Sequence, residues 1–339
     1  MNEQKLLTVA VPCYNAQDYM EHCLTTLLSG GEDIEILVVD DGSSDDTAAI
    51  ADRWASEHPG VVRAIHQENA GHGGAVMTGL RNAGGVYFKV VDSDDWVDTE
   101  ALGRVMNTLR EHAETPVDLV ISNYIYDKAG AKHRHVVSYR HALPQGRVFD
   151  WEEARRFRKG EYLLMHSVIY RRTLLLECGL ELPRHTFYVD ELYVYVPLPF
   201  VRRIVYVDAD LYHYFIGRED QSVQEQVMIR RIDQALRVNR MLVSGADPYA
   251  VQNIHLRRYM LNFLEIVTVV SSVLLVKSGT ADNLRKKEEL WEYIRGENPK
   301  VYHTLRHRLL GRLLHLPGRA GQAVILTGYR LCRMIFGFN

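Results

Sequence analysis

Four times between Leu6 and Asp92, a short run of β-branched and other apolar residues gives way to a longer amphipathic stretch. LLTVAVP precedes AQDYMEHCLTTLLSG, IEILVVDD precedes DDTAAIADRWASEH, VVRAIHQ precedes GGAVMTGLRNAG, and VYFKVVD precedes TEALGRVMNTLREH, with DLVISNYIY as a further run. Strands that are apolar at nearly every position are strands covered on both faces, which is how a parallel sheet of βαβ units is built. The expected fold class is therefore α/β, a mostly parallel central sheet flanked by helices. In open sheets of this class ligands bind beyond the carboxyl ends of the strands. The exits that matter are Pro12-Cys13-Tyr14-Asn15, Asp40 to Thr47, Gln67 to Gly74 and Asp92 to Trp96.

Past Tyr126 the pattern loosens into basic, less periodic sequence. It is followed by DWEEARRFRKG, which reads as a helix, and by two strand candidates, LMHSVIYR and RIVYVDADLYHYF. From residue 221 onward the apolar spacing becomes helical, as in Met228, Ile232, Ala235, Leu236 and Leu242.

The densest chemical signal is Asp92-Ser93-Asp94-Asp95, directly after an apolar run. Carboxylates at i and i+2 on a strand exit, here Asp92 and Asp94, can converge on one hard divalent cation that also bridges diphosphate oxygens. An acidic loop capping the next helix has the same composition, but three acids crowded at a buried strand end repel one another and need a counter-charge. The second signal is Asp40-Asp41-Gly42-Ser43-Ser44, where a strand-end carboxylate accepts a base N–H or a ribose hydroxyl as readily as it serves a helix cap. At Pro12-Cys13-Tyr14-Asn15, proline stops the first strand and Tyr14 offers a flat face and a hydroxyl to a base or ribose; a plain turn would contain the same residues. In Asn69-Ala70-Gly71-His72-Gly73-Gly74 the glycines let backbone N–H groups approach an anion at a helix N-terminus, and Arg81 follows on that helix. The run also has some likeness to a dinucleotide fingerprint, but it lacks the third glycine and follows the third strand instead of the first.

Composition narrows the class. A chain of 339 residues, 47% hydrophobic and 24% charged, is globular and long enough for one large domain with an appendage. Cys13, Cys23, Cys178 and Cys332 form no CxxC pair, so neither a zinc site nor a disulfide framework is indicated and a reducing, cytoplasmic setting is expected. MNEQKLLTVAVP, interrupted by Pro12, lacks the h-region of a secretory signal. The apolar stretch Ile266 to Val276, preceded by Glu265, falls short of the roughly 20 residues that cross a bilayer, so no transmembrane helix is expected. The net charge of −3 conceals an asymmetry: Lys300 to Asn339 carries seven Lys/Arg and no acid, against 33 basic and 43 acidic residues elsewhere. No nucleic-acid partner is expected. The tail RHRLLGRLLHLPGRAGQAVILTGYRLCRMIF fits two arrangements, peripheral contact with an anionic membrane or helices packed on the rest of the chain with arginines in solvent.

Taken together and in order, PCYN, VVDDGSSDDT, ENAGHGGAVMTGLRNAGG and VVDSDDW resemble the family-2 glycosyltransferases of bacterial cell-surface polysaccharide type, over roughly residues 6 to 220. The resemblance implies a Rossmann-like GT-A fold. Its catalytic domain would span 1–220, with 1–125 as the donor-nucleotide half and 126–220 as the acceptor half, and 221–339 would be a helical extension with a basic amphipathic tail. It implies inverting transfer of a sugar from a nucleotide-diphosphate donor, a UDP-sugar by preference, to a hydroxyl of a glycan or lipid-linked acceptor. Mn2+ or Mg2+ would be required, and the setting would be cell-envelope polysaccharide or glycolipid synthesis, in the cytoplasm or on the inner face of the membrane.

By matching positions, Pro12, Tyr14, Asp40 and Asp41 lie around the base and ribose, and Asn69 and Arg81 face the donor. Asp92 and Asp94 hold metal and diphosphate, Ser93 lies between them in the donor site, and Asp95 flanks them. The family's later acidic pair, followed by an apolar helix, is matched by Val189-Asp190, with valine where glutamate is usual. Asp190 is the implied base, accepting the acceptor proton as that oxygen displaces the diphosphate, and Glu191 is the reserve; the local alternative for Asp190 is a helix N-cap. Gly217 to Ser222 resembles a segment that follows the last strand in relatives, where Arg218 would meet the phosphates or stand as a surface arginine. Two other functions share the layout. A sugar nucleotidyltransferase would carry a glycine-rich phosphate loop where this chain has PCYN. A catalytically inactive scaffold that binds carbohydrate or nucleotide is the other, kept open by the valine at 189.

Overall fold

The computed structural model of the chain describes residues 4–128, 134–158, 161–216 and 224–336, with side chains as far as 330. It divides into two compact units, 1–217 and 218–339.

In the first unit β1 (Leu7–Cys13), β2 (Ile34–Asp40), β3 (Val62–His66) and β4 (Tyr87–Val90) alternate with α1 (Met20–Leu27), α2 (Thr47–Glu57) and α3 (Gly71–Asn82). β5 (Trp96–Val97) and α4 (Thr99–Glu111) lead into β6 (Leu119–Lys128). The unit is completed by β7 (His135–Val137), β8 (Val148–Phe149), β9 (Val168–Arg171), α5 (Arg172–Glu177), α6 (Asp190–Tyr195) and β10 (Ile204–Ile216). The strand order is β3-β2-β1-β4-β9-β6-β10-β5, with β7 beside β6 and β8 beside β10.

β3, β2, β1 and β4 are mutually parallel, and β10 is parallel to β6. β9 runs antiparallel between β4 and β6, so the sheet is mixed at its centre. Every residue of β1 and β2 is buried, as expected of strands covered on both faces. Helix α3 lies close against β1: a Cβ on Gly79 would stand 2.6 Å from Ala10 Cβ, so only glycine allows this approach.

Two local expectations change. Pro12 sits inside β1, paired with Val39, instead of ending it. The Ala10 carbonyl accepts the Val91 N–H on the β4 side, so the alternate residue Pro12 faces the same way, past the last β4 pairing, where no ladder donor is lost. The helix expected over DWEEARRFRKG is absent among the described residues. Trp151 to Glu153 is a turn and 154–158 is irregular, because local N–H groups serve loop contacts: Glu152 N–H donates to Asp150 Oδ1 (2.8 Å) and Arg155 N–H to the Ala142 carbonyl (2.7 Å).

Near its middle, β10 slips register against β6 at two places between Val207 and Tyr212. There Asn123 Nδ2 donates to Asp208 Oδ1 (2.9 Å) and Asp210 Oδ1 (2.8 Å). Bulges of this kind re-aim the residues that follow, here Tyr212, His213 and Tyr214.

The second unit is helical: α7 (Glu225–Arg230), α8 (Ile232–Gly245), α9 (Ile254–Ser278), α10 (Ala281–Glu297), α11 (Pro299–His307), α12 (Leu309–Leu314) and α13 (Gly318–Phe336). Asn253 caps α9 through Oδ1, and Gly279 closes it at φ 70°. At 25 residues and a mean hydropathy of 1.9 over its most apolar window, α9 is long and apolar enough to cross a membrane, which the run Ile266 to Val276 alone did not reveal; 72% of that window is buried. Its polar residues find partners inside the unit, with Trp291 Nε1 donating to Ser272 Oγ and Asn239 bonding Thr268.

Candidate active site

The carboxyl ends of β1, β2, β3 and β4 gather four loops at one edge of the sheet, and side chains stitch the loops together. Asn15 N–H donates to Ser43 Oγ (3.0 Å), while Asn15 Oδ1 accepts from Ser44 N–H (2.9 Å). Asn15 holds φ 49° to do so. Beside it Tyr14 projects, 57% exposed.

Asp40 and Asp41 are both buried. Asp40 Oδ1 accepts from Ser43 N–H (3.0 Å) and Oδ2 meets His66 Nδ1 (3.0 Å). Burial works against the charge on Asp40, but the bonds from Ser43 and His66 hold its pKa below the usual range. Asp41 Oδ1 accepts from Gln67 Nε2 (2.6 Å) and Ala70 N–H (2.8 Å), and Oδ2 from Gly71 N–H (2.8 Å). The anion at the N-terminus of α3 is therefore a carboxylate of the protein itself. Asn69 donates to the Asp41 carbonyl (2.9 Å).

The glycines of this loop serve packing rather than phosphate approach. A Cβ on Gly71 would stand 2.8 Å from His185 N, and one on Gly73 would stand 2.8 Å from the Pro183 carbonyl and 3.4 Å from Val189 Cγ2. They seat the 183–189 segment on α3. Val189 is buried in that contact, which accounts for an apolar residue at the position where the resemblance implied glutamate. Arg81 lines a cavity together with Gln67, Glu68 and Ala70 of the loop after β3. It lies in the last turn of α3, ion-paired with Glu181 (3.2 Å), about 14 Å along the helix axis from His72 at 1.5 Å per residue.

After β4, the turn from Asp92 to Asp95 is tied to β10. Asp92 N–H donates to Tyr212 Oη (3.2 Å), Tyr212 Oη donates to Asp95 Oδ2 (2.6 Å), and Phe215 N–H donates to Asp95 Oδ1 (2.8 Å). Burial, with Asp94 and Asp92 adding repulsion, pushes the Asp95 carboxyl well up. Ser93 stands beside the buried thiol of Cys13 and works against the rise that burial imposes on it. The counter-charge that three crowded acids require comes from His72, whose Nε2 lies 2.8 Å from Asp92 Oδ1. Burial opposes protonation of His72, but Asp92, with Asp190 and Asp94, holds its pKa above the usual value. Asp92 is lowered in turn: burial raises it, and His72, with His166 and Lys89, more than offsets that.

Asp190 is the first residue of α6, with Val189 at the N-cap and Tyr188 before that at φ 67°. Left-handed backbone at a non-glycine residue is strained and concentrates at functional sites. Burial raises the Asp190 carboxyl, His72 opposes the rise, and Asp92 adds to it. Glu191 is pushed well up by burial and by Asp190.

Behind the turn lies a buried polar floor. Lys89 Nζ donates to the His166 carbonyl (2.7 Å), and burial pulls its pKa down to about 7. The His166 ring, pushed down to about 4 by burial, is stacked on Tyr214 with centroids 4.4 Å apart, and its Nδ1 is buried with no hydrogen-bond partner. One ligand atom each from Asp92, Asp95 and His166 lie within 4.8 Å of one another. An imidazole nitrogen grouped with two carboxylates is a donor set that fits a divalent cation.

Structure thus brings together Asp92, Ser93, Asp94, Asp95 and Asp190, leaves Tyr14 open at the rim, bonds Asp40, Asp41 and Asn69 to the loops, and puts Arg81 in a cavity with Gln67, Glu68 and Ala70. Arg218 lies outside the described residues. His72, Lys89 and His166 carried no separate sequence signal: His72 stood inside a glycine run read for its glycines, and the other two join the site only through strand order.

Comparison with known proteins agrees with this arrangement. Residues 8–173 match the model of "Glycosyl transferase family 2". EpsH of Bacillus subtilis, named as a glycosyltransferase, is 28% identical over 63% of this chain and 62% of its own length. Glycosyltransferase GlyA of Streptococcus pneumoniae is 37% identical over 35% of this chain and 16% of its own; the chain thus spans less than two thirds of these relatives. Among solved structures, S. aureus TarS 1–349 in complex with UDP-GlcNAc superposes with a TM-score of 0.69 at 19% identity, covering 96% of this chain and 89% of that one, a likeness of fold. By its ordered motifs and these matches, the segment 8–173, just under half of the chain, is a glycosyl transferase family 2 domain.

Proposed function

We propose that the chain transfers a sugar from a nucleoside-diphosphate donor, a UDP-sugar in the first instance, to an acceptor hydroxyl with inversion, and that Asp190 is the base. The observation that carries this reading is that Asp92 and Asp190 both interact with one imidazole, His72. A diphosphate-side acid and a base thereby share one site. In the transfer, Asp190 accepts the acceptor proton as that oxygen bonds the anomeric carbon and the bond from this carbon to the diphosphate oxygen breaks on the opposite face. The raised pKa of Asp190 makes it a stronger base than an exposed aspartate once it is ionised.

Asp92 and Asp94 are the carboxylates assigned to Mn2+ or Mg2+. Such a cation supplies positive charge to the oxygens of the departing diphosphate. Tyr14 and Pro12 are assigned to the base and ribose, while Asp40, Asp41 and Asn69 act by fixing the loops that frame them. Domains are assigned as 1–220 for catalysis and 221–339 for the helical extension. A glycan or lipid-linked acceptor in cell-envelope synthesis, reached from the inner face of the membrane, is consistent with the tail, where Leu309 (67%), Leu316 (40%) and Val324 (48%) are exposed alongside Arg312 and Arg319.

The experiment is a panel of nucleotide sugars with Mn2+ or Mg2+ and no acceptor, followed by release of the nucleoside diphosphate. Slow metal-dependent hydrolysis of one or more donors is expected. No turnover across the panel would favour the inactive scaffold.

A further inference from the structure

Most of the site's polar groups have internal partners, and His166 Nδ1 does not. The residue is 7% exposed, and a buried nitrogen without a partner costs roughly 1–3 kcal/mol, so native proteins seldom keep one unless an ion or water completes it. Its surroundings fix the ring. One face stacks on Tyr214 at 4.4 Å, Tyr212 tilts against it at 4.6 Å, and the residue's carbonyl is held by Lys89 Nζ at 2.7 Å. A ring so constrained is oriented in advance of any ligand. Its ligand atom and those of Asp92 and Asp95 fall within 4.8 Å of one another, and Asp92 is the first acid of the DSDD turn.

We propose that a ring nitrogen of His166 is a direct ligand of the divalent cation in this site, so that the donor set is mixed nitrogen and oxygen and favours a first-row transition dication over Mg2+. The inference rests on the reading that the chain binds a catalytic cation, and it adds a ligand from outside the DSDD turn. Mg2+ demands oxygen ligands in near-octahedral array, whereas affinity at a site with nitrogen rises from Mn2+ to Co2+. Tyr212 Oη and Phe215 N–H already bond Asp95, one at each oxygen. The Asp95 carboxylate is thereby held in place beside Asp92 and His166.

Mn2+ is the probe, added to the full chain with UDP. Pulsed electron paramagnetic resonance of bound Mn2+ is expected to show hyperfine coupling to a directly bonded imidazole nitrogen, with the isotope pattern changing when the protein is labelled with 15N-histidine. His166→Phe, which keeps a ring to stack on Tyr214, removes the coupling and weakens Mn2+ binding by about 10- to 100-fold, with a smaller change for Mg2+. His72→Asn leaves the coupling in place. Bound Mn2+ without nitrogen coupling overturns the inference and leaves metal dependence standing. Coupling lost in His72→Asn but kept in His166→Phe overturns it in favour of His72. No Mn2+ binding in the wild type overturns both readings together.

Discussion

His72 Nε2 lies 2.8 Å from Asp92 Oδ1, and the charge on His72 also opposes the rise of the Asp190 pKa. One imidazole at the start of α3 therefore acts against burial on the titration of both acids. Removing it with His72→Asn leaves burial and Asp92 acting on Asp190 without opposition. The acid limb of the pH profile of kcat/KM is then expected to move to higher pH. A limb unchanged from the wild type would show that His72 does not govern Asp190.

The seat of the 183–189 segment on α3 depends on glycines. A Cβ at Gly73 meets the Pro183 carbonyl at 2.8 Å, and a backbone oxygen cannot swing aside as a side chain can. Gly73→Ala is expected to cost about 1–3 kcal/mol, seen as a lower Tm, and to reduce turnover through displacement of Asp190. Wild-type Tm and turnover would contradict that packing.

Glu35 is a buried carboxylate that accepts from Thr8 Oγ1 (2.6 Å), Gly84 N–H (2.8 Å) and Arg63 Nη1 (2.7 Å). Burial alone would raise its pKa, and these donors more than offset that, holding it below the ordinary 4.5. A folded-state pKa below the unfolded value means stability that is present above the unfolded pKa and lost as pH falls through the folded one. Glu35→Gln is expected to cost about 1–3 kcal/mol at neutral pH, measured by urea unfolding, with the gap to wild type closing below pH 4.5. A gap independent of pH would contradict the account.

The helical extension is tested on vesicles. With the basic, partly apolar face of α12 and α13 as the contact, truncation after residue 300 is expected to reduce sedimentation with anionic liposomes and leave zwitterionic liposomes unaffected. Equal sedimentation of both chains would return the tail to internal packing.

Much of this was legible in the sequence because strand texture is local. The apolar runs of β1 and β2, the exits after them and the DSDD turn are each contiguous, so their period and order could be read directly. Direction and partnership were not. Nothing in VIYR says that β9 runs antiparallel between β4 and β6, and it is this insertion that carries His166 to the turn. The roles of Asp40 and Asp41 were obscured for a related reason: a strand-end carboxylate has the same sequence whether it meets a ligand or, like Asp41, the N–H groups of a helix starting some 30 residues later. Arg81 matched a motif position, and the cavity it shares with Gln67, Glu68 and Ala70 depends on how α3 packs against the loop after β3, which no local pattern states.

The central claim is that Asp190 acts on the acceptor and the DSDD acids act on the donor. Its most direct test is UDP binding in the presence of Mn2+, measured by calorimetry alongside sugar transfer, for Asp190→Asn and Asp94→Ala. Asp190→Asn is expected to bind UDP as the wild type does while transfer falls by about 10²- to 10⁴-fold, whereas Asp94→Ala loses metal-dependent UDP binding. Equal loss of UDP binding in both variants, or undiminished transfer by Asp190→Asn, would contradict the assignment.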